Sequence, residues 1–181
     1  MLGRLAITGT PGTGKSSVAA RLGRSAHAVE VAELAERTGT GRRTRSGLEV
    51  DLVRLRAALR RSHGWGDARV VVGHLSHLLP VRDVVVLRCH PRELARRLRL
   101  ARRGTVLERR ENVLAEALDV VLAEAVRPGR RVWEVDTTGR TVGAVARDVG
   151  RLLARRGRPS YGRVDWLSDP EVTAHLLDRG P

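Results

Sequence analysis

The chain has 181 residues and 41% hydrophobic content, which suits one domain with a sizeable core and excludes a disordered chain. Its 34 basic and 20 acidic side chains give a net charge of +14, favouring polyanionic partners or phosphorylated substrates; one Tyr, three Trp and no Phe exclude an aromatic platform for single-stranded bases. No apolar run approaches the roughly 20 residues of a bilayer span, MLGRLAITGT lacks a secretory apolar region, and the lone Cys89 excludes an internal disulfide framework, so a cytoplasmic protein with no membrane partner is expected.

Residues 5–7 read as a short buried strand ending at Thr8-Gly9. Glycine-rich sequence and a helix from Lys15 to about Arg24 follow. Residues 28–31 form a second strand, 32–37 one or two helical turns, and 38–47 (TGTGRRTRSG), almost without apolar residues, a mobile loop. Leu48, Leu52, Leu55 and Leu59 repeat at helical spacing, predicting a helix over 48–61. Val70-Val71-Val72, closed by Gly73, is a third strand and 84–87 a fourth. Residues 92–103 and 108–126 are helical, 132–136 a fifth strand, and 141–155 a helix capped by Thr138 or Thr141. Short β-branched strands alternating with helices predict an α/β fold, a parallel five-stranded sheet flanked by helices. Ligands of such sheets bind at the carboxyl ends of the strands. Residues 158–181 change character and read as an appended tail.

The segment GTPGTGKS, Gly9 to Ser16, fits G-x-x-x-x-G-K-S/T between a strand and a helix, the pattern of a P-loop that binds a nucleoside triphosphate. The glycines let successive N–H groups turn inward around phosphate oxygens, and the helix adds the positive end of its dipole. Lys15 reaches the β- and γ-phosphates, and the Ser16 hydroxyl is a Mg2+ ligand. Lys15 is the only lysine in a chain that otherwise uses arginine. A compact ammonium, not a planar fork, is what this position takes. A GTPase would need a second lysine for its guanine-reading N-K-x-D segment, so a small kinase is the natural candidate.

GTPGTGKS, LEVDLVRLRAAL, VVVGHLSHLLP, VVVLRCHPRELARRL with a following RRG, and ENVLAEALDVVLAEA occur in that order. Together, over residues 1–155, they resemble the adenylate kinase isoenzyme 6, or CINAP, family in its archaeal form. The resemblance implies a P-loop nucleoside monophosphate kinase domain over 1–157 that transfers phosphate from ATP, with Mg2+, to a monophosphate, and that also hydrolyses ATP. It implies that Gly12, Gly14, Lys15, Ser16 and Ser17 hold ATP, that residues 30–53 bind the monophosphate, and that 103–113 form a short lid with Arg103 beside the ATP. It places His74 at the histidine of a Walker-B-like D-x-H motif, near the γ-phosphate. It further implies a role in small ribosomal subunit maturation, through a ribosomal protein of the S11 type and rRNA. An ATP-switched ribosome-assembly factor with little kinase activity, or another small-molecule P-loop kinase, is the alternative.

The residues themselves agree in part. Arg102, Arg103, Arg109 and Arg110 bracket Gly-Thr-Val-Leu-Glu, so a closing lid could bring guanidinium groups to phosphates. His74 and His77 lie three apart, which without a third ligand is weak for zinc; His77 reads as structural. One departure stands out: the resembled family places an acid at the end of the third strand, where this chain has Val71-Val72-Gly73. Glu49, Asp51 and Asp136 are the acids that could substitute. Glu30, Glu33, Glu36, Glu49 and Asp51 form an acidic cluster in an otherwise basic chain, a candidate surface for a basic protein partner.

Overall fold

The structure is a computed structural model describing residues 4–44, 47–61, 63–102, 104–155 and 157–177. Its elements are β1 (Leu5–Thr8), α1 (Lys15–Leu22), β2 (Ala28–Glu30), α2 (Val31–Arg37), β3 (Gly41–Thr44), β4 (Gly47–Val50), α3 (Leu52–Arg60) and β5 (Val70–Val72). There follow β6 (Asp83–Arg88), α4 (Pro91–Leu100), α5 (Val106–Ala117), α6 (Val120–Ala125), β7 (Arg131–Asp136), α7 (Val142–Arg155) and α8 (Pro170–Leu177).

Five strands pair in parallel in the order β2-β5-β1-β6-β7, as the alternating pattern predicts. Period-2 alternation sorts their side chains between two cores. Ala6, Val71, Val84 and Val86 face α2, α3 and α6, packing with Leu34, Leu55, Leu59 and Leu122. Leu5, Ile7, Val70, Val72, Val85 and Leu87 face α1 and α7, packing with Val18, Val145 and Val149. Both faces are covered, so the strands carry no polar alternation. The strand sequence turns outward on both sides of β1, to β5 and to β6, which opens the sheet's crevice at the carboxyl end of β1.

Three local expectations are corrected. Within the loop expected over 38–47, Gly41–Thr44 is instead a strand, β3, antiparallel to β4, in which Arg42 lies opposite Glu49 and pairs with it at 2.7 Å. The first strand lacks apolar residues because only the second meets the core, through Leu48 and Val50. Leu48 therefore belongs to a strand, and α3 starts four residues later, where the Asp51 carboxylate accepts the Arg54 amide at 3.0 Å. The helix expected over 108–126 is two helices, broken where Asp119 takes a left-handed φ of 56°. That break turns Glu116 and Asp119 towards one arginine of β6.

Residues 157–164 are bonded to the edge strand β7. Ser160 pairs with β7, accepting the Glu134 amide at 2.8 Å and donating to the Val132 carbonyl at 3.0 Å. The Trp133 indole donates to the carbonyls of Gly157 and Arg158, and Val172 of α8 is fully buried.

Candidate functional site

The phosphate loop crosses the crevice between β1 and α1. Its first glycine has no substitute: Gly9 has φ 137°, and a Cβ there would stand 2.3 Å from the Leu87 carbonyl oxygen. Gly12, at φ 96°, is pressed on Leu94 and Leu98 of α4 in the same way. Within the loop Thr13 donates through both its amide and its hydroxyl to the Thr10 carbonyl, at 3.2 and 2.9 Å. Gly14 is the last residue before α1 and also has φ 96°.

Lys15 is buried at the start of α1, with Nζ donating to the carbonyls of Gly9 at 2.8 Å and Thr10 at 2.9 Å. Those bonds hold the ammonium at the mouth of the loop without an acidic partner in either bond. Ser16 and Ser17, on the first turn of α1, are exposed. The start of α1 brings the positive end of its dipole to the loop, beside these exposed serines.

His74 follows β5 on the other side of β1. The Thr8 hydroxyl donates to its carbonyl at 3.2 Å. Burial, with Lys15 and His77 close by, pushes its imidazole below the ordinary range, so the ring is neutral around pH 7 and carries no competing charge beside Lys15. His77 is the structural residue expected: it is buried, Nδ1 lies 2.8 Å from the Thr8 hydroxyl and Nε2 3.0 Å from Glu124.

Arg103 lies outside the described residues. Beside it, Arg102 is exposed, Arg109 donates to the Gly104 carbonyl at 2.6 Å, and Arg110 is exposed. Thr105 and Glu108 form a reciprocal capping box that starts α5. Between this segment and Pro11 of the phosphate loop is an open cleft of about 340 Å³, lined also by Leu98, Gly104 and Asn112. A second groove, of about 550 Å³, runs along α1 beside the edge strand β2, and includes Ser16, Glu30 and Val72.

The acids that could replace the missing one are committed elsewhere. Glu49 pairs with Arg42, Asp51 caps α3, and Asp136, on the far edge strand, accepts from the amide and hydroxyl of Thr138. In the acidic cluster, Glu33 is likewise paired with Arg37 and Glu36 with Arg43.

The chain is similar to known proteins. Residues 5–119 match the family described as "AAA domain". Relatives named "Putative adenylate kinase" include one from Thermococcus onnurineus, 37% identical over 97% of this chain and 98% of its own. Another, from Archaeoglobus fulgidus, is 41% identical over 92% of this chain and 93% of its own, and one from Halobacterium salinarum is 41% identical over 90% and 97%. The chain belongs to this archaeal adenylate-kinase-like P-loop family. A solved structure, of an uncharacterized protein from Eubacterium ventriosum, covers 85% of this chain and 99% of its own with a TM-score of 0.54; at 12% identity it shares the fold alone.

In this family member the loop rests on a buried polar hub that sequence reasoning missed. The Glu116 carboxylate, 2% exposed, accepts from the Thr10 hydroxyl at 2.6 Å, Arg88 Nε at 2.8 Å, the Cys89 amide at 3.0 Å and the Trp166 indole at 3.3 Å. Arg88 is itself buried and also pairs with Glu134 at 2.6 Å and with Asp119. Glu134 in turn accepts the amides of Arg163 and Val164. Residues of the last segment thus complete the hydrogen bonding of two buried acids, one of which anchors the phosphate loop. A glutamate in a helix and an arginine in a strand carry no mark of this pairing; only the presence of Arg88 inside the apolar strand DVVVLR hints at it.

Proposed function

We propose that the protein is an ATP-dependent nucleoside monophosphate kinase. The observation that carries this reading is the Lys15 ammonium, parked on the Gly9 and Thr10 carbonyls inside a preformed glycine loop. Such a group is poised to exchange two carbonyl oxygens for phosphate oxygens. Gly12 and Gly14 expose the backbone N–H groups around it, and Ser16 and Ser17 bring hydroxyls. Ser16 offers an exposed oxygen donor, the kind Mg2+ takes while it keeps water and phosphate oxygens as its other ligands. When bound, that ion spreads the charge that builds up on the transferring phosphate.

Two further regions fit a second substrate. The excursion between β2 and β5 carries α2, the β3–β4 hairpin and α3, and corresponds to the expected monophosphate region, 30–53. Residues 104–112 line an open cleft with Pro11, which suits the expected short lid over 103–113, whose arginines would reach phosphates. Phosphoryl transfer asks the protein for positioning and charge neutralisation more than for covalent chemistry, and arginines supply both. A neutral His74 can accept a hydrogen bond from the attacking group. The names of the relatives support adenylate kinase activity in particular.

The test is to mix the protein with Mg·ATP and each monophosphate and follow diphosphate formation. Transfer to at least one monophosphate is expected, lost on Lys15→Ala and poor in Lys15→Arg, since a planar fork cannot occupy a pocket closed by two carbonyls. ATP hydrolysis without transfer to any monophosphate would replace this reading with that of an ATP-switched protein.

A further inference from the structure

Glu30 ends the edge strand β2, directly opposite Val72 in the parallel register with β5. Val72 packs in the core that faces α1, and register partners in a sheet share a face, so the Glu30 side chain is directed to the α1 side. Ser16 lies on the first turn of α1, and Ser16, Glu30 and Val72 line one groove. The carboxyl end of β5 itself offers only valine and Gly73.

Glu30 is also the odd acid of this chain. With 33 arginines available, the acids around it are paired: Glu33 with Arg37, Glu36 with Arg43, Glu49 with Arg42. Among the described residues, Glu30 and the exposed Glu111 are the acidic side chains with neither a hydrogen bond nor an ion pair. Glu30 is half-buried, where an unpaired carboxylate gives up solvation and gains nothing in return. Arg24 and His27 line the same groove, His27 paired with Asp67, and neither bonds Glu30; a half-buried anion left without a partner in the groove of the phosphate-loop serine fits a cation site.

We infer that Glu30 is the carboxylate that holds, together with Ser16, the Mg2+ of bound nucleotide. This rests on the nucleotide-binding half of the reading above, and not on which acceptor receives the phosphate. In other P-loop enzymes the partner of the loop Ser or Thr is an aspartate of the neighbouring strand. Here the position next to β1 is valine, and the acid stands one strand further out on a side chain one methylene longer. The chemistry is that of a hard cation with oxygen donors: a hydroxyl, a carboxylate, and phosphate oxygens and water for the rest.

Mn2+, a paramagnetic stand-in for Mg2+, is titrated into the protein–ADP complex and free Mn2+ read by electron spin resonance. Glu30→Gln keeps the shape and removes the charge. It should weaken Mn2+ binding roughly 10- to 100-fold, the range for losing one partner of a metal site. Affinity for metal-free ADP should stay within about twofold or rise, because a negative charge near the phosphates has been removed. Adding Val72→Asp to Glu30→Gln returns a carboxylate one strand inward and should recover most of the metal affinity. Far-UV circular dichroism establishes that the variants fold. Unchanged Mn2+ affinity in Glu30→Gln, or equal loss of metal-bound and metal-free ADP, overturns the inference. Because the readout is metal affinity, a protein that holds Mn·ADP through Glu30 but phosphorylates no monophosphate would refute the kinase reading alone.

Discussion

Glu116→Leu tests the hub beneath the phosphate loop. Leucine roughly fills the volume, so the loss reports the polar part. Four donors lose their acceptor: the Thr10 hydroxyl, Arg88 Nε, the buried Cys89 amide and the Trp166 indole. Each buried donor left unsatisfied costs about 1–3 kcal/mol. Trp166 is only half-buried and can turn to water. Arg88 keeps Glu134 and Asp119, which spares the penalty of an uncompensated buried charge, so two such costs count in full. The sum is about 2–6 kcal/mol, a large share of the roughly 5–15 kcal/mol that holds a domain folded. At about 2–4 °C per kcal/mol for a chain of this size, Tm should fall by roughly 4–24 °C. Urea and thermal unfolding followed by circular dichroism measure it. Glu111→Leu, at an exposed acid without a partner, is the control and should stay within about 0.5 kcal/mol. A loss below about 1 kcal/mol in Glu116→Leu would refute the claim that this carboxylate organises the loop and the last segment.

Two other expectations concern charge in buried places. His74 and His77 are both held below the ordinary imidazole range, mainly by burial, so the folded protein keeps them neutral while the unfolded chain protonates near pH 6.5. Stability is therefore fully present above about pH 7 and declines as pH drops below 6.5 towards the folded values; unfolding midpoints in urea should shift down between pH 7.5 and 5.5, and His77→Gln should flatten that shift. Arg130 has one buried guanidinium nitrogen, Nη1, with no hydrogen-bond partner, and burial together with Arg127 and Arg56 lowers its proton affinity. Arg130→Met should be neutral or stabilising by up to about 2 kcal/mol, and a clear loss of stability would mean the arginine is satisfied in solution.

The sequence by itself determined the parts whose chemistry is local. A phosphate loop is eight consecutive residues whose glycines permit the backbone it needs, and Lys15 stands out as the only lysine, so the loop was readable without any long-range contact. The five-stranded sheet was readable for a similar reason: strands covered on both faces leave runs such as VVV and DVVVL that no helix period explains. Only the tertiary structure decided the rest, because it depends on residues far apart in the chain. The β3–β4 hairpin looks like a loop because its stability comes from a ladder and the Arg42–Glu49 pair, not from apolar alternation. The Glu116 hub joins residues 10, 88, 116 and 166, and no spacing rule connects them. Glu30 reads as one of several acids until the register sets it opposite Val72 and its neighbours Glu33 and Glu36 are seen to be paired. Local backbone preference is written residue by residue, whereas the pairing of buried charges is decided by which strands become neighbours.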